Sequence, residues 1–294
     1  MKIRIGVGLG AAGLGDEFAD VVCEMERCGF DSLWLSEVLS TPAIDPLAGL
    51  AYAAGIVKKL KLGTTMLVPG RNPVRLAKEL ATIDRLSGGR LLVVLVPGLS
   101  EPVEAQAIGV PLRERGAWLD EVLPLLRRLW TEDAVHHSGP RFNYEGLTVR
   151  PRPIQQPLDV WLGGTAPTAL RRAGRLSDGW LPSLLTPAEA LAGRKAIEAA
   201  AAEAGREIES EHFGVSLGYA RDKISERQLA QVARRRPGID PRTLVPIGLD
   251  GLRQRLCELI DVGFSKFVVR PSDAPDDWRH ELRELGQAVL PLQT

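Results

Sequence analysis

Residues 158–180 read LDVWLGGTAPTALRRAGRLSDGW. An apolar strand, VWLG at 160–163, stops on two glycines, and Pro167 opens a segment rich in Ala, Leu and Arg with the spacing of a helix over 167–176. A second apolar run, GWLPS at 179–183, follows at once. This is one strand–helix–strand unit, and such units require parallel strands joined by a crossover helix. Working outward, the same unit recurs. Short apolar runs stand at 2–9 (KIRIGVGL), 32–37 (SLWLSE), 60–67 (LKLGTTML) and 90–96 (RLLVVLV). Their starts lie roughly thirty residues apart, the length such a unit needs.

Between these runs the apolar residues recur at helical spacing: Phe18, Val21, Val22 and Met25 with Glu26 in the first interval, and Leu76, Leu80, Ile83 and Leu86 in the third. The strands are nearly all apolar rather than alternating, as expected where helices cover a parallel sheet. The second half adds FGVSLGY (213–219) and KFVVRP (266–271), with helices near 186–204, 225–236, 250–262 and 276–290. Eight strands in all favour a closed eight-fold α/β barrel over an open doubly wound sheet. Two stretches interrupt the rhythm. Residues 97–159, after the fourth strand, carry an extra loop, an amphipathic helix at 112–130 and a hairpin in AVHHSGPRFNYEGLTV. Residues 220–249 form a second insertion, after the seventh strand. No flexible linker divides the chain, so residues 1–294 are expected to form a single barrel domain.

Composition narrows the function classes. The 294 residues are 45% hydrophobic and 25% charged, with 37 basic against 37 acidic side chains. That balance gives no electrostatic case for nucleic acid or an anionic membrane surface. The run Arg234-Arg235-Arg236 reads as a solvated helix face. Three cysteines, Cys23, Cys28 and Cys257, lack CxxC spacing, and the four histidines lack metal-ligand spacing, so neither a disulfide framework nor a metal is expected. No apolar stretch is long enough to span a membrane, and the first residues pass straight into a strand with no leader. A cytoplasmic protein is the expectation.

In a barrel, Gly163, Gly164 and Thr165 fall at the C-terminal end of the fifth strand, on the face where such folds build their sites. Glycines let backbone N–H groups approach a ligand, and Pro167 leaves no N–H unsatisfied in the first turn. The helix start then offers free N–H groups and a positive dipole end to an anion. Arg171 and Arg172 extend a positive field along the helix. An ordinary tight turn is the plainer alternative.

With its neighbours this stretch resembles the bacterial luciferase-like monooxygenase superfamily, and within it the deazaflavin-dependent oxidoreductases that use coenzyme F420. The likeness is carried by GFDSLWLSE (29–37), LKLGTTMLVPGRNPVRLAKELATIDRLSGGRLLV (60–93), ERGAWLDEVLPLLRRLWTED (114–133), FNYEGLTVRPRPIQQPLDVWLGG (142–164), ALRRAGRLSDGWLP (169–182) and GFSKFVVRP (263–271). The resemblance implies a (β/α)8 TIM-type barrel that binds F420, or alternatively FMN, at the strand C-termini. It implies a phosphate seat at Gly163, Gly164 and Thr165, and a ring resting against a non-prolyl cis bond, here Thr65–Met66, with Gly98 beside it. Such a bond costs roughly 3–4 kcal/mol and persists only where the fold enforces it. It also implies a small-molecule substrate and a homodimer.

Two departures stand out. Many relatives end the second strand on an acid followed by histidine; here Glu37 is kept and Val38 replaces the imidazole. Glu37 is therefore the candidate for proton chemistry, if burial raises its pKa, or else a hydrogen-bonding anchor. His136, His137, His212 and His280 read as structural. Where relatives carry glycines in the fourth strand, Val94 and Val96 stand, which narrows the ring pocket. Trp34 and Trp180 near strand ends are candidates for lining it or for plain packing.

The leading expectation is an F420-dependent oxidoreductase that moves a hydride to or from a small organic substrate. Only eight of the 37 basic residues are lysine, an arginine-heavy usage that fits high-GC bacteria rich in this coenzyme. The alternatives are an FMN-dependent monooxygenase and a non-catalytic cofactor-binding protein that has lost its imidazole. A Schiff-base aldolase is disfavoured, because Lys61 and Lys266 fall at strand beginnings.

Overall fold

A computed structural model describes residues 1–10 and 14–294. Strand and helix alternate through β1 (Arg4–Gly8), α1 (Phe18–Cys28), β2 (Ser32–Ser36), α2 (Pro46–Ile56), β3 (Lys61–Leu67), α3 (Pro73–Ser87) and β4 (Leu91–Val96). After β4 come α4 (Pro102–Ile108), α5 (Leu112–Thr131) and an antiparallel hairpin of β5 (Val135–Ser138) and β6 (Asn143–Leu147). The alternation resumes with β7 (Val160–Leu162), α6 (Pro167–Leu176), β8 (Gly179–Trp180), α7 (Pro187–Glu203) and β9 (Gly214–Tyr219). The chain closes with α8 (Glu226–Arg235), α9 (Gly248–Asp261), β10 (Lys266–Pro271) and α10 (Trp278–Val289).

Eight strands pair in parallel in the order β8-β7-β4-β3-β2-β1-β10-β9. The two ends meet: Trp180 N–H donates to the His212 carbonyl at 2.9 Å, and Ser216 N–H to the Pro182 carbonyl at 2.8 Å. The sheet therefore curls into a barrel jacketed by helices. Helix ends follow local chemistry. The Asn72 side chain accepts from the N–H groups of Val74 and Arg75 at 3.0 and 3.1 Å, with Pro73 in the first turn. Gly29 and Gly88 end α1 and α3 in the left-handed conformation, at φ 89° and 70°.

Side chains alternate across the barrel wall. Ile5, Val7, Leu62 and Met66 point outward into the layer beneath the helices. Inside, Trp34, Val94, Leu181 and Val268 form a plug, flanked by Leu92, Val96 and Trp161. Glycines make room for it: a Cβ on Gly63 would lie 2.4 Å from the Trp34 ring, and one on Gly6 2.1 Å from Ser32 Oγ.

The sequence motifs behind the family likeness lie largely at the N-terminal floor. Arg90 donates to the carbonyls of Ser87 and Leu60 at 2.6 Å and of Val57 at 3.0 Å. Buried Asp84 accepts from Ile154 N–H at 2.6 Å and from the Gln155 side chain at 2.7 Å. Asp178 accepts from Val160 N–H at 2.9 Å and pairs with Arg127 at 2.7 Å. They hold helices to strands, as expected of that face.

Three expectations change. Leu86 is 60% exposed, because the buried stripe of α3 passes through Leu76, Leu80 and Ile83 to Ser87. Among the described residues the cis bonds are Arg150–Pro151 and Gln156–Pro157, and Thr65–Met66 is trans. There β3 keeps an unbroken ladder, with Thr65 opposite Val94 and Met66 opposite Leu95. The run Arg234-Arg235-Arg236 is also not one solvated face. Arg234 alone is exposed, Arg235 turns inward, and Arg236 pairs with Glu189.

Candidate active site

The mouth at the strand C-termini is framed by the ends of β2, β3, β4, β7, β9 and β10. Inward parity sends Ser36, Thr65 and Val96 toward it, above the plug. Thr65 is half-buried, and Ser36 is open. Met66, one residue on, takes the opposite parity; its side chain is fully buried on the helix side and does not reach the mouth. Val94 belongs to the plug itself. The valines thus supply a floor under the mouth rather than filling it.

Glu37 follows β2 and is 8% exposed. One carboxylate oxygen accepts the Leu67 N–H at 2.8 Å, and the other is held by the Arg71 guanidinium. Its own N–H donates to the Thr65 carbonyl at 2.8 Å. Both oxygens are therefore engaged with the end of β3. Gly98, at φ 84°, lies in a packed turn: a Cβ there would meet Ile108 at 2.5 Å and Leu67 at 2.9 Å. Its lack of a side chain lets α4 close onto β3.

The Gly163–Thr165 turn is held open at the mouth. Gly163 is buried, and a Cβ on it would stand 3.0 Å from Val96. Gly164 has φ 95°, where a side chain is strained. The Trp180 indole N–H donates to the Gly164 carbonyl at 2.9 Å and fixes the turn. Residues 164–168 are exposed, and α6 begins at Pro167 with no side-chain cap. Of the first-turn N–H groups, that of Ala169 donates to the Ala166 carbonyl at 2.8 Å and Pro167 has none, so among the described residues the Thr168 N–H is the one left for a ligand or water. Arg172 adds less field than expected, because Asp120 on α5 pairs with it at 2.9 Å.

The loops above the mouth are pinned by buried charge. Arg115, 1% exposed, donates to the carbonyls of Leu99 at 2.7 Å and Val110 at 2.8 Å. Glu104 accepts the N–H groups of Leu39 and Ser40, both at 3.0 Å. Across from α6, two cations stand at the mouth: Arg235, which the sequence placed on a solvated face, and Arg270, which it did not single out. Arg270, at the inward parity of β10, lies beside Gly218, and burial together with the charge of Arg235 pushes its guanidinium down to about 10. Arg235 reaches Ser183 Oγ at 3.4 Å. The alternation Lys266, Val268, Arg270 was the available signal.

The histidines stand elsewhere. His212 packs against Trp161, ring centroids 5.3 Å apart, and His137 lies 3.2 Å from Glu121 in the hairpin. A cavity of about 250 Å³ opens at the opposite, N-terminal end, between Trp34, Trp161, Lys61 and Lys266. It shares no residue with the mouth described above, apart from the plug that separates them.

A closed parallel α/β barrel with an uncapped helix start beside an apolar floor has the architecture in which barrel proteins place their sites. The model of the luciferase-like monooxygenase family matches residues 1–243, and the chain belongs to that family. It is 28% identical over 310 aligned positions to an F420-dependent glucose-6-phosphate dehydrogenase of Nakamurella multipartita, covering 96% of this chain and 86% of that protein. With the enzyme of the same name from Kineococcus radiotolerans it is 31% identical over 176 positions, 56% of this chain and about half (51%) of the relative. The F420-dependent tetrahydromethanopterin reductase of Methanopyrus kandleri superposes over 100% of both chains with a TM-score of 0.81 at 19% identity.

Proposed function

We propose that the protein is an F420-dependent oxidoreductase acting on a small organic molecule. The observation that carries this reading is the uncapped start of α6 behind Gly163-Gly164-Thr165, set beside an apolar floor at the barrel mouth. The residues present fit such a cofactor. Gly163, Gly164 and Thr165 would hold its phosphate, and Thr65 and Val96 would support its ring. When bound, F420 supplies a two-electron hydride donor or acceptor. The chain's own part is positioning. Trp180 fixes the phosphate turn, and Glu37 with Arg71 holds the end of β3 so that Thr65 keeps its place. The plug below and the pinned α4 loop above limit water at the mouth. Glu37 is a positioning residue here, since both its oxygens are committed.

The same reading takes residues 1–294 as one barrel domain, working in the cytoplasm as a homodimer. Free Cys23, Cys28 and Cys257 support a reducing compartment. Among the described residues no helix is long and apolar enough to cross a membrane. An apolar, exposed stripe on α2, Ala48, Tyr52 and Gly55, supports self-association.

The test is a fluorescence and absorbance titration of apo-protein with F420 and, separately, FMN. F420 is expected to bind, and Gly164→Asp is expected to weaken it at least a hundredfold by placing a charge and a strained side chain in the seat. Binding of FMN alone would replace this reading with oxygen chemistry. Binding of F420 without turnover across carbonyl and alcohol substrates would leave a carrier.

A further inference from the structure

Among the buried and half-buried arginines of this chain, partners are the rule. Arg90 and Arg115 saturate backbone carbonyls, Arg71 holds Glu37, and Arg194 lies 2.7 Å from Glu198. Arg270 differs: among the described residues its side chain makes no ion pair and no hydrogen bond, although it sits inside the barrel wall. Its Cβ and Cδ lie along Gly8, and its guanidinium flanks Gly218, with Ser272 Oγ close by; the two glycines leave its sides bare. Arg235, at the end of α8, reaches Ser183 Oγ at 3.4 Å, its one hydrogen bond among the described residues; Ser183 bridges to Ser216 on β9, two residues before the Gly218 that Arg270 flanks. Glu101 faces Arg235 from the loop after β4 but forms no ion pair with it among the described residues. Two like charges held half-buried with no carboxylate in ion-pair contact are costly, and burial lowers the affinity of both for their protons.

We infer that Arg235 and Arg270, with the hydroxyls of Ser183 and Ser272, form an oxyanion subsite across the mouth from the α6 turn, which takes a carboxylate or phosphate group of the substrate. Paired guanidiniums suit a multi-oxygen anion, because each offers several donors in a fixed fork. This assignment rests on the reading above, in which the α6 turn seats the cofactor, so that the second cationic patch is left for the molecule that exchanges the hydride.

The experiment uses inorganic phosphate as the probe, titrated calorimetrically into the protein with and without F420. The variants are Arg270→Gln and Arg235→Gln, with exposed Arg113→Gln as control. Phosphate is expected to bind the F420-loaded protein, at least tenfold more weakly in either mouth variant and unchanged in the control, while F420 affinity stays within twofold. Arg270→Gln is also expected to raise Tm by ~2–4 °C without ligand, the sign of removing an unpaired buried charge; an arginine with a structural role would lower it. Phosphate binding that is absent, or equal in all variants, would overturn the subsite. Loss of F420 affinity in both mouth variants, with phosphate excluded from the loaded protein, would also overturn it by giving the pair to an acidic tail of the cofactor. If F420 binds no variant, the earlier reading falls alone, because the arginine-dependent share of phosphate binding to apo-protein still decides the pair.

Discussion

At the scale of single residues, position on a strand decides role. Thr65 and Met66 are neighbours, yet parity sends one to the mouth and the other beneath the helices. The sequence located both at the end of the third strand but left their facing open. Glu37 was legible as the acid kept beside Val38; what its carboxylate binds was not, because Leu67 and Arg71 lie thirty and thirty-four residues away. As a positioning residue it gives a specific outcome. Glu37→Gln should lower kcat less than tenfold, leave the pH profile of kcat unchanged and reduce stability by roughly 1–3 kcal/mol through the lost Arg71 pair. Abolished turnover with loss of a pH limb would instead make Glu37 the acid. Steady-state kinetics between pH 5 and 9, with thermal melts, would separate the two.

At the scale of elements, the strands were the readiest to read, since continuous apolar runs at a fixed interval have one economical arrangement. The helix α2 gave no such signal. Its sequence, PLAGLAYAAGI, is apolar on every side, so there is no contrast with a period of 3.6 residues. The hairpin of β5 and β6 was visible in sequence, but what holds it was not. Glu121 of α5, 5% exposed, accepts the N–H of Phe142 at 3.1 Å and faces His137 and Arg141. Burial alone would raise its pKa; the hydrogen bonds from His137, Arg141 and Phe142 outweigh that and hold it below the usual carboxylate range. A depressed folded pKa means that the contribution is complete above the unfolded pKa and is lost as pH falls through the folded one. Acidification below about pH 4 should therefore release the hairpin before the barrel melts, since the unfolded glutamate titrates near there. Glu121→Gln should reproduce the loosening at neutral pH, read as faster amide exchange confined to residues 135–147.

At the scale of the whole molecule, the barrel brings together ends of strands that are far apart in the chain. Its outer surface raises a separate question. Tyr52 is 56% exposed on a helix with no polar face, and the proposed homodimer would cover it. Tyr52→Asp should convert the dimer to a monomer in light scattering while leaving the F420 titration unchanged; a mass unaltered by the substitution would remove α2 from the interface. By itself the sequence determined the eight-strand rhythm, the glycine turn before α6 and the family, because each is written in contiguous residues whose backbone preferences are local. Only the tertiary structure decided which members of the motifs serve the floor, as Asp84, Arg90 and Asp178 do. It alone brought Arg235 and Arg270 to the same strand ends at the mouth, through Ser183 beside β9 and Gly218 opposite Arg270. The reason is closure: barrel register and inward parity are fixed by packing around a common plug, and no local pattern encodes which distant strand end a side chain will face.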